Sequence, residues 1–530
     1  MKKQQAYETD VAIIGAGPTG IIFANLLGMQ GINTTIFERR DTPFTEPRAI
    51  AFDPETLRLF QTIGCYDHLA DTLQLDVPVH YLNANGKTLA HIYDCPPAFG
   101  HSGRGTYYQP ELEQALLMGL ETRNSVSLKR GVEVRKVQNS EDSVRLEVQA
   151  SDGGPANVRA KFVVDCSGGA SQIRKQVGIG FTGTTYREKW LVIDVQGDDY
   201  EGSEIKFFCD PKRPAVTLPV SKNRRRWEFL VMPGDDETEL ASEKSARALM
   251  ATYGAGNATK IERSLVYAFH ARFADRFREG RVLLAGDSAH VMPPFAGQGL
   301  NSGMRDAANL AWKLAGVVAG QFNDTILDTY DPERRPHVED MTKLTIKLGR
   351  SIMPTNPIRA WLRDRMMITA WRFASTREKL NRGDMIPKPS IEGSSLVNWQ
   401  RRGLAGKMIE QPTVQCQGKE TKLDEMLGAG FSVLGVNCRP EDVLSRADVD
   451  LLRHLNATTI SVSTQQGQPA DAFDSLRSLI NIAGREQAIV IVRPDRFIAD
   501  VFEPRGQEKM LTWMETAYGL LNEKALASAA

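Results

Sequence analysis

Several features that would assign this sequence to other functional classes are missing from it. Its six cysteines (Cys65, Cys95, Cys166, Cys209, Cys416 and Cys438) stand apart, with no CxxC pair and no zinc-ligand spacing. That excludes a zinc module and a dithiol redox centre, leaves no metal expected, and implies reduced thiols in the cytoplasm. Neither sign of charge is in excess, with Lys+Arg and Asp+Glu each numbering 65, so no global field points to nucleic acid or to an anionic membrane. No apolar run is long enough to span a bilayer, and residues 1–10 carry no signal-peptide pattern. The basic run Arg224-Arg225-Arg226 reads as a solvated surface face, with a docking patch for a phosphorylated cofactor as the second reading. What remains is an ordinary globular composition, 42% hydrophobic and 25% charged over 530 residues. At that length the chain makes roughly three or four domain-sized units.

The first positive signal lies near the start. Residues 11–14 form a short apolar run that reads as a buried parallel strand. Gly15-Ala16-Gly17-Pro18-Thr19-Gly20 comes next, then a helical pattern over 21–29 and a second strand over 33–37 that ends at Glu38 and Arg39. Strand, glycine turn, helix, strand and terminal acid together make the dinucleotide fingerprint. Gly15 makes the tight turn, Gly17 lets backbone approach a pyrophosphate, and Gly20 allows the helix to pack on the strand. The exposed N–H groups at the helix start, after Pro18, favour phosphate charge, and Glu38 suits an unphosphorylated adenosine ribose, as in FAD or NAD.

A second signal is a strand over 280–285 that ends at Gly286-Asp287-Ser288-Ala289-His290. The loop Pro293-Pro294-Phe295-Ala296-Gly297-Gln298-Gly299-Leu300-Asn301 comes after it, then helical spacing over 301–318. A carboxylate at a strand end, before a glycine-rich loop that opens a helix, can bring N–H groups against a flat electron-accepting ring. Asp287 has few purely structural uses at such a place, whereas His290 reads first as a packing or hydrogen-bonding residue rather than a base. Residues 131–149, 162–165, 191–195 and 227–231 read as strands, the later ones suiting a sheet that covers a substrate. Only one complete fingerprint is present: Gly254-Ala255-Gly256 and Gly428-Ala429-Gly430 lack the third glycine.

In order and over residues 8–350, these motifs resemble the class A FAD-dependent aromatic monooxygenases of the para-hydroxybenzoate hydroxylase type. Within them the chain is most similar to the 3-(3-hydroxyphenyl)propionate, resorcinol and polyketide hydroxylase branch. The resemblance implies tightly but non-covalently bound FAD, held by Gly15, Gly17, Pro18, Gly20, Glu38 and Arg39 at its ADP half. It implies contacts from Arg48 (in Glu46-Pro47-Arg48-Ala49), from Gln109 (in Tyr107-Tyr108-Gln109-Pro110), from Asp287 on the ribityl chain, and from Pro294, Gly297, Gly299, Leu300 and Asn301 beside the ring. Pro293, Gly297 and Arg48 stand nearest the expected chemistry. Arg48 could alternatively be a surface ion-pair partner, and Gln109 a helix cap. Tyr330-Asp331-Pro332-Glu333-Arg334-Arg335-Pro336 resembles the segment that closes the catalytic region. One motif departs: Ser171 and Arg174 fit a Ser-x-x-Arg ending, but the family aspartate position holds Ser167, with Asp165 two residues too early. This puts the details of pyridine nucleotide binding in doubt.

The implied fold is α/β. A Rossmann-like FAD-binding domain of glutathione-reductase type (1–180 and 276–395, with inserted strands near 75–105) is interrupted by a mixed β-sheet substrate domain over 181–275. A thioredoxin-like domain without CxxC occupies 396–530. Met353, Met366, Met367 and Trp371 read as core filler, and the C-terminal part as a packing or homodimerisation element. The implied reaction uses NADH or NADPH to reduce FAD, adds dioxygen at the flavin C4a position, and delivers one oxygen atom to a small phenolic aromatic. Tyr267, His270 and Arg272 are candidate pocket residues, and no base is identified. A flavin halogenase is disfavoured because no two Trp residues lie two apart. An FAD-dependent oxidase or dehydrogenase, and a flavin-fold binder without hydroxylase activity, stay open.

Overall fold

The computed structural model describes residues 7–43, 47–93, 95–150, 155–221, 223–398, 404–463, 472–473, 487–504 and 512–519. The chain is a mixed α/β protein organised, among these residues, by two eight-stranded sheets, one of seven strands and a small one of three.

The first sheet is parallel at its centre. Strand Tyr7–Ile14 lies between Thr34–Glu38 and Pro155–Asp165, which in turn pairs with Val282–Leu284. Val11, Ala12 and Ile13 are fully buried, which explains their continuous apolar run. Register sets where the strands end: Ile14 pairs with Phe37 on one side and Asp165 on the other, and Asp165 pairs with Leu284. The strands therefore stop at one level, and Gly15, Glu38, Cys166 and Ala285 leave the sheet along a single edge. Helix Pro18–Met29 buries Ile21, Ile22, Phe23, Ala24 and Leu27, because it is packed between helices Gln298–Val318 and Gln109–Glu121.

The second sheet is built on the long antiparallel pair Phe181–Gln196 and Lys260–Ala274. Strands Val79–Asn83 and Thr88–Ile92, from far earlier in the chain, extend it through parallel pairing with Ile205–Cys209. One face buries Leu191, Ile193, Trp227 and Phe229 against Ala246 and Met250 of helix Glu243–Ala251. The other presents Phe207, Val216 and Leu218, against which Phe295, Met353 and Met367 pack. The basic run does not form the solvated face expected of it: Arg225 and Arg226 are only 6% and 3% exposed. Asp194, in the neighbouring strand, receives Arg226 at 2.6 Å, and Asp198, just past that strand's end, receives Arg225 at 3.4 Å, so burial of each cation is compensated. Met366, expected as core filler, is 59% exposed on helix Pro357–Arg372.

In the third sheet, Ser432–Val436 runs parallel to Thr458–Ser463 and antiparallel to Ala488–Val492, which pairs antiparallel with Ile498–Phe502. Two buried ionic contacts tie this unit to the rest. Arg58 forks onto Asp424 at 2.6 and 2.7 Å. Arg493 forks onto Glu333 at 2.8 and 2.9 Å, where Lys313 also donates at 2.7 Å. Burial works against ionisation of Glu333, but Arg493 and Lys313 overcome it and hold the carboxyl well below its usual range. Burial pulls Lys313 down to about 8, Glu333 opposing it. The Tyr330 segment opens helix Tyr330–Ile352, its phenol donating to the Leu284 carbonyl at 3.0 Å.

Candidate active site

A cavity of about 880 Å³ runs from the shared strand edge to the inner face of the second sheet. Its two ends are made differently. At the strand edge the walls are mostly main chain. Gly15 has φ +102°, and a Cβ there would stand 2.6 Å from the Cys166 carbonyl oxygen. A Cβ on Gly20 would stand 2.1 Å from the Gly15 carbonyl oxygen, so helix and strand meet only because both residues are glycine. Gly17, by contrast, faces open space in the cavity, and the helix it opens has no side-chain cap. Its first N–H groups are thus free for a phosphate. Glu38 lines the same end, steadied by the Ala16 and Arg40 N–H groups at 2.9 and 3.0 Å, with Arg39 beside it.

Asp287 projects into the cavity from the second strand end, and its carboxylate makes no hydrogen bond or ion pair among the described residues. Burial between the walls pushes its pKa up, with His290 and Arg48 pulling it back. Such an acceptor calls for donors from a ligand, as the hydroxyls of a ribityl chain would be. The next loop turns at Gly297 (φ +64°), where a Cβ would strike Ala51 at 2.6 Å, and opens helix Gln298–Val318 without a side-chain cap. Pro294, Gly297, Gly299 and Leu300 line the cavity there. Taken together, a bare helix start at each end of the cradle, a ribose-level acid and an unpaired carboxylate between them fit FAD.

Other residues of these motifs brace the site. The Gln109 amide oxygen accepts from both the Arg48 and Ala49 N–H groups at 2.8 Å, and its amide nitrogen donates to Glu113 at 2.8 Å. It lines the cavity while holding the Arg48 backbone, and it does not cap its helix. His290 is buried and bonded to Asp306 at 2.6 Å, and Asp306 also receives the Gly286 N–H and Arg334. The histidine therefore braces the loop, the packing and hydrogen-bonding role expected of it. Asp165 accepts from the Ser167 N–H at 3.0 Å and the Ser171 hydroxyl at 2.5 Å. It lies beneath the turn, while Ser167 faces the cavity. Glu46, in the Arg48 motif, lies outside the described residues.

Six expected site residues do not line the cavity, the first being Gly20, which serves the close helix–strand approach instead. Pro293 is buried and starts the short turn Pro294–Ala296, leaving Pro294 as the exposed member of the pair. Asn301 is fully buried because its amide donates to the Gly297 and Ala51 carbonyls and its oxygen receives Thr56 at 2.7 Å. Tyr267 accepts from Arg263 at 3.1 Å. His270 and Arg272 both engage the Thr185 hydroxyl, at 3.0 and 2.7 Å, on the outer side of the strand. From that strand it is Phe269 that packs on the cavity-lining Phe295, with ring centroids 5.8 Å apart.

The far end of the cavity is an apolar chamber bounded by Ile92, Phe207, Val216, Leu218, Phe295 and Met367. The cavity lining also holds Arg104, Glu228 and Lys388, which no sequence motif singled out, and Arg226, which the sequence offered only as part of a basic run. Arg226 is spoken for, bonding Asp194 at 2.6 Å and the Arg48 and Pro47 carbonyls at 2.9 and 2.5 Å. A usable signal existed, since the charges of Arg226 and Glu228 alternate with the apolar Trp227 and Phe229 along one strand.

The comparisons with known proteins bear on this geometry directly. Residues 8–345 match the model of the FAD binding domain family, and residues 406–517 the HcaD C-terminal domain. The chain belongs to the FAD-binding family of flavin-dependent aromatic hydroxylases. A 3-(3-hydroxy-phenyl)propionate/3-hydroxycinnamic acid hydroxylase of Burkholderia cenocepacia (strain HI2424) is 38% identical over 96% of each chain. One of the same description from Escherichia coli (strain SMS-3-5 / SECEC) is 34% identical, covering 98% of this chain and 96% of the relative. Among solved structures, aklavinone-11 hydroxylase with FAD and aklavinone superposes with a TM-score of 0.79 at 21% identity, covering 97% of this chain and 99% of that one. An anhydrotetracycline hydroxylase from Streptomyces rimosus gives 0.74 at 24%, with the same coverage. Among the described residues, no helix of this hydroxylase is long and apolar enough to cross a membrane, and no group of side chains could hold a metal ion.

Proposed function

We propose that this hydroxylase acts on a small phenol carrying an acidic side chain, of the 3-(3-hydroxyphenyl)propionate type, using NADH or NADPH and dioxygen. The observation that carries the reading is one continuous cavity joining a main-chain cradle to an apolar chamber with cationic side chains. FAD bound in the cradle would supply the redox chemistry that links the pyridine nucleotide and dioxygen to hydroxylation of the ring. The cradle residues Gly17, Glu38, Arg39 and Asp287 would hold the cofactor, together with Arg48 and the loop from Pro294 to Leu300. Val216, Leu218, Phe207 and Phe295 bind the substrate ring and exclude water, which protects the activated oxygen from wasteful release. Arg104, whose Nε donates to the Val77 carbonyl at 2.8 Å, and Lys388 pair with no carboxylate among the described residues. They suit the acidic group of the substrate.

The wider arrangement agrees with the same reading: FAD-binding parts over 1–180 and 276–395, a substrate sheet over 181–275 and a thioredoxin-like unit over 396–530. Six free thiols support a cytoplasmic setting. The exposed apolar side chains Ile358, Trp361, Leu362 and Met366 of helix Pro357–Arg372 support a homodimer contact. The test is NAD(P)H oxidation by FAD-loaded protein against a panel of phenols, with and without acidic side chains, with hydroxylated product quantified. Stimulation by an acidic phenol with matching product is expected. FAD binding with no phenol oxygenated defeats the reading.

A further inference from the structure

Strand Arg224–Leu230 turns alternate side chains in opposite directions. Trp227 and Phe229 are fully buried in the core behind the sheet, while Arg226 and Glu228 face the cavity. The two charges are provided for unequally. Arg226 is saturated by Asp194 and by two main-chain carbonyls. The closest cation to Glu228 is that same guanidinium, 4.0 Å from its carboxylate, and no hydrogen bond reaches the carboxylate among the described residues. Its side chain is 15% exposed, and the opening is onto the chamber.

The neighbours offer it little. Val216 stands directly across the ladder, with Leu218 two residues on. Charged groups approach from its own strand (Arg226), from strand Phe181–Gln196 (Asp194) and from strand Lys260–Ala274 (Arg263). Asp194 already receives Arg226 and Arg263, both at 2.6 Å, so that trio is closed. A carboxylate kept on this wall without a hydrogen-bond donor from the protein is costly to the fold, and the cost is relieved when the group takes a proton or a ligand brings the donor.

We infer that Glu228 receives the ring hydroxyl of the substrate and takes its proton. This rests on the phenol hydroxylase reading above. In the step, the phenol O–H bond breaks and its electron pair stays on the phenol oxygen, where it enriches the ring toward electrophilic attack. The proton forms the new O–H bond of the Glu228 carboxylic acid, and no electron leaves the ring. The chamber favours the exchange. Burial raises the Glu228 pKa, with Arg226 opposing and Asp194 adding to the rise, and this narrows the gap to a phenol at about 10.

The experiment uses FAD-loaded wild type, Glu228→Gln and Glu228→Asp. The probes are 3-(3-hydroxyphenyl)propionate and a ring-fluorinated analogue whose hydroxyl is already ionised at the assay pH. Product formation and flavin content are followed from pH 6 to 10. For Glu228→Gln the expected result is a loss of about 100-fold in kcat at neutral pH with the un-ionised phenol. The loss should shrink as pH approaches the substrate's own pKa and should nearly vanish with the ionised analogue. Glu228→Asp should recover part of the rate, and flavin content should not change. An unaltered rate in Glu228→Gln overturns the assignment, as does a loss equal for both phenols at every pH, which marks a merely structural role. Wild type that oxygenates neither phenol defeats the hydroxylase reading itself, and the Glu228 role with it.

Discussion

The two ends of the cavity solve the same task, holding a flat molecule, with different materials. The strand-edge end is built from main chain: glycines that admit close approach, two uncapped helix starts, and few side chains beyond Glu38, Arg39 and Asp287. The far end is built from side chains that stand out from scattered strands and helices, from Val79 to Lys388. Main-chain geometry depends on where glycine is tolerated and resists drift. A side-chain lining can be exchanged one residue at a time. The contrast matches relatives that share this fold while their names give very different aromatic substrates.

Perturbations of graded size test that contrast. The largest effect is expected away from both ends, at Arg493→Met, which leaves Glu333 buried without its forked partner. The loss should be about 3–5 kcal/mol of stability, read by denaturant unfolding, and should disturb flavin and substrate binding alike. The acid limb should change as well. Because the Glu333 pKa is held down in the fold, its contribution is complete above the ordinary carboxylate value and fades as pH falls toward the lowered one. The variant should flatten that slope. Next is Gly20→Ala, whose Cβ has no room beneath the Gly15 carbonyl. It should purify with little or no flavin absorbance, and full retention would deny that the cradle depends on glycine. Arg104→Met should leave flavin content intact and raise KM about tenfold for a phenol with an acidic side chain. A neutral phenol should be spared, and an equal effect on both would remove Arg104 from carboxylate recognition. The smallest effect is expected at His270→Ala, because that ring faces Thr185 outside the cavity. A changed KM there would show that the chamber wall is drawn wrongly.

The same contrast explains what was legible in the sequence. Gly15, Gly17 and Gly20 announce themselves because a spaced triplet of residues without side chains has one strong use, and Asp287 because a strand end before a glycine loop narrows its options. Gln109 was expected as a cofactor contact and does line the cavity, but nothing local records that its amide also accepts from the Arg48 and Ala49 N–H groups. Pro293 turns inward within an irregular loop, where side-chain direction has no periodicity to read, and Asn301 falls in the first turn of helix Gln298–Val318 with its amide turned back to Gly297. Tyr267, His270 and Arg272 were chosen for lying before the flavin motif, yet that strand carries irregular register, which hides which residues face inward. Arg226 and Glu228 were the recoverable omission: the three-arginine run masked a strand with two faces. Arg104 and Lys388 meet only through tertiary folding.

The Arg226 contacts carry a final consequence. On one side its guanidinium grips Asp194; on the other it lands on the carbonyls of Pro47 and Arg48 rather than on their side chains. The join is therefore blind to which amino acids occupy positions 47 and 48. A lineage can swap those side chains and keep the two halves in alignment, and a library at position 48 will report on the replaced side chain alone. Arg226 itself has no such freedom. It is the pin on which interchangeable parts are hung.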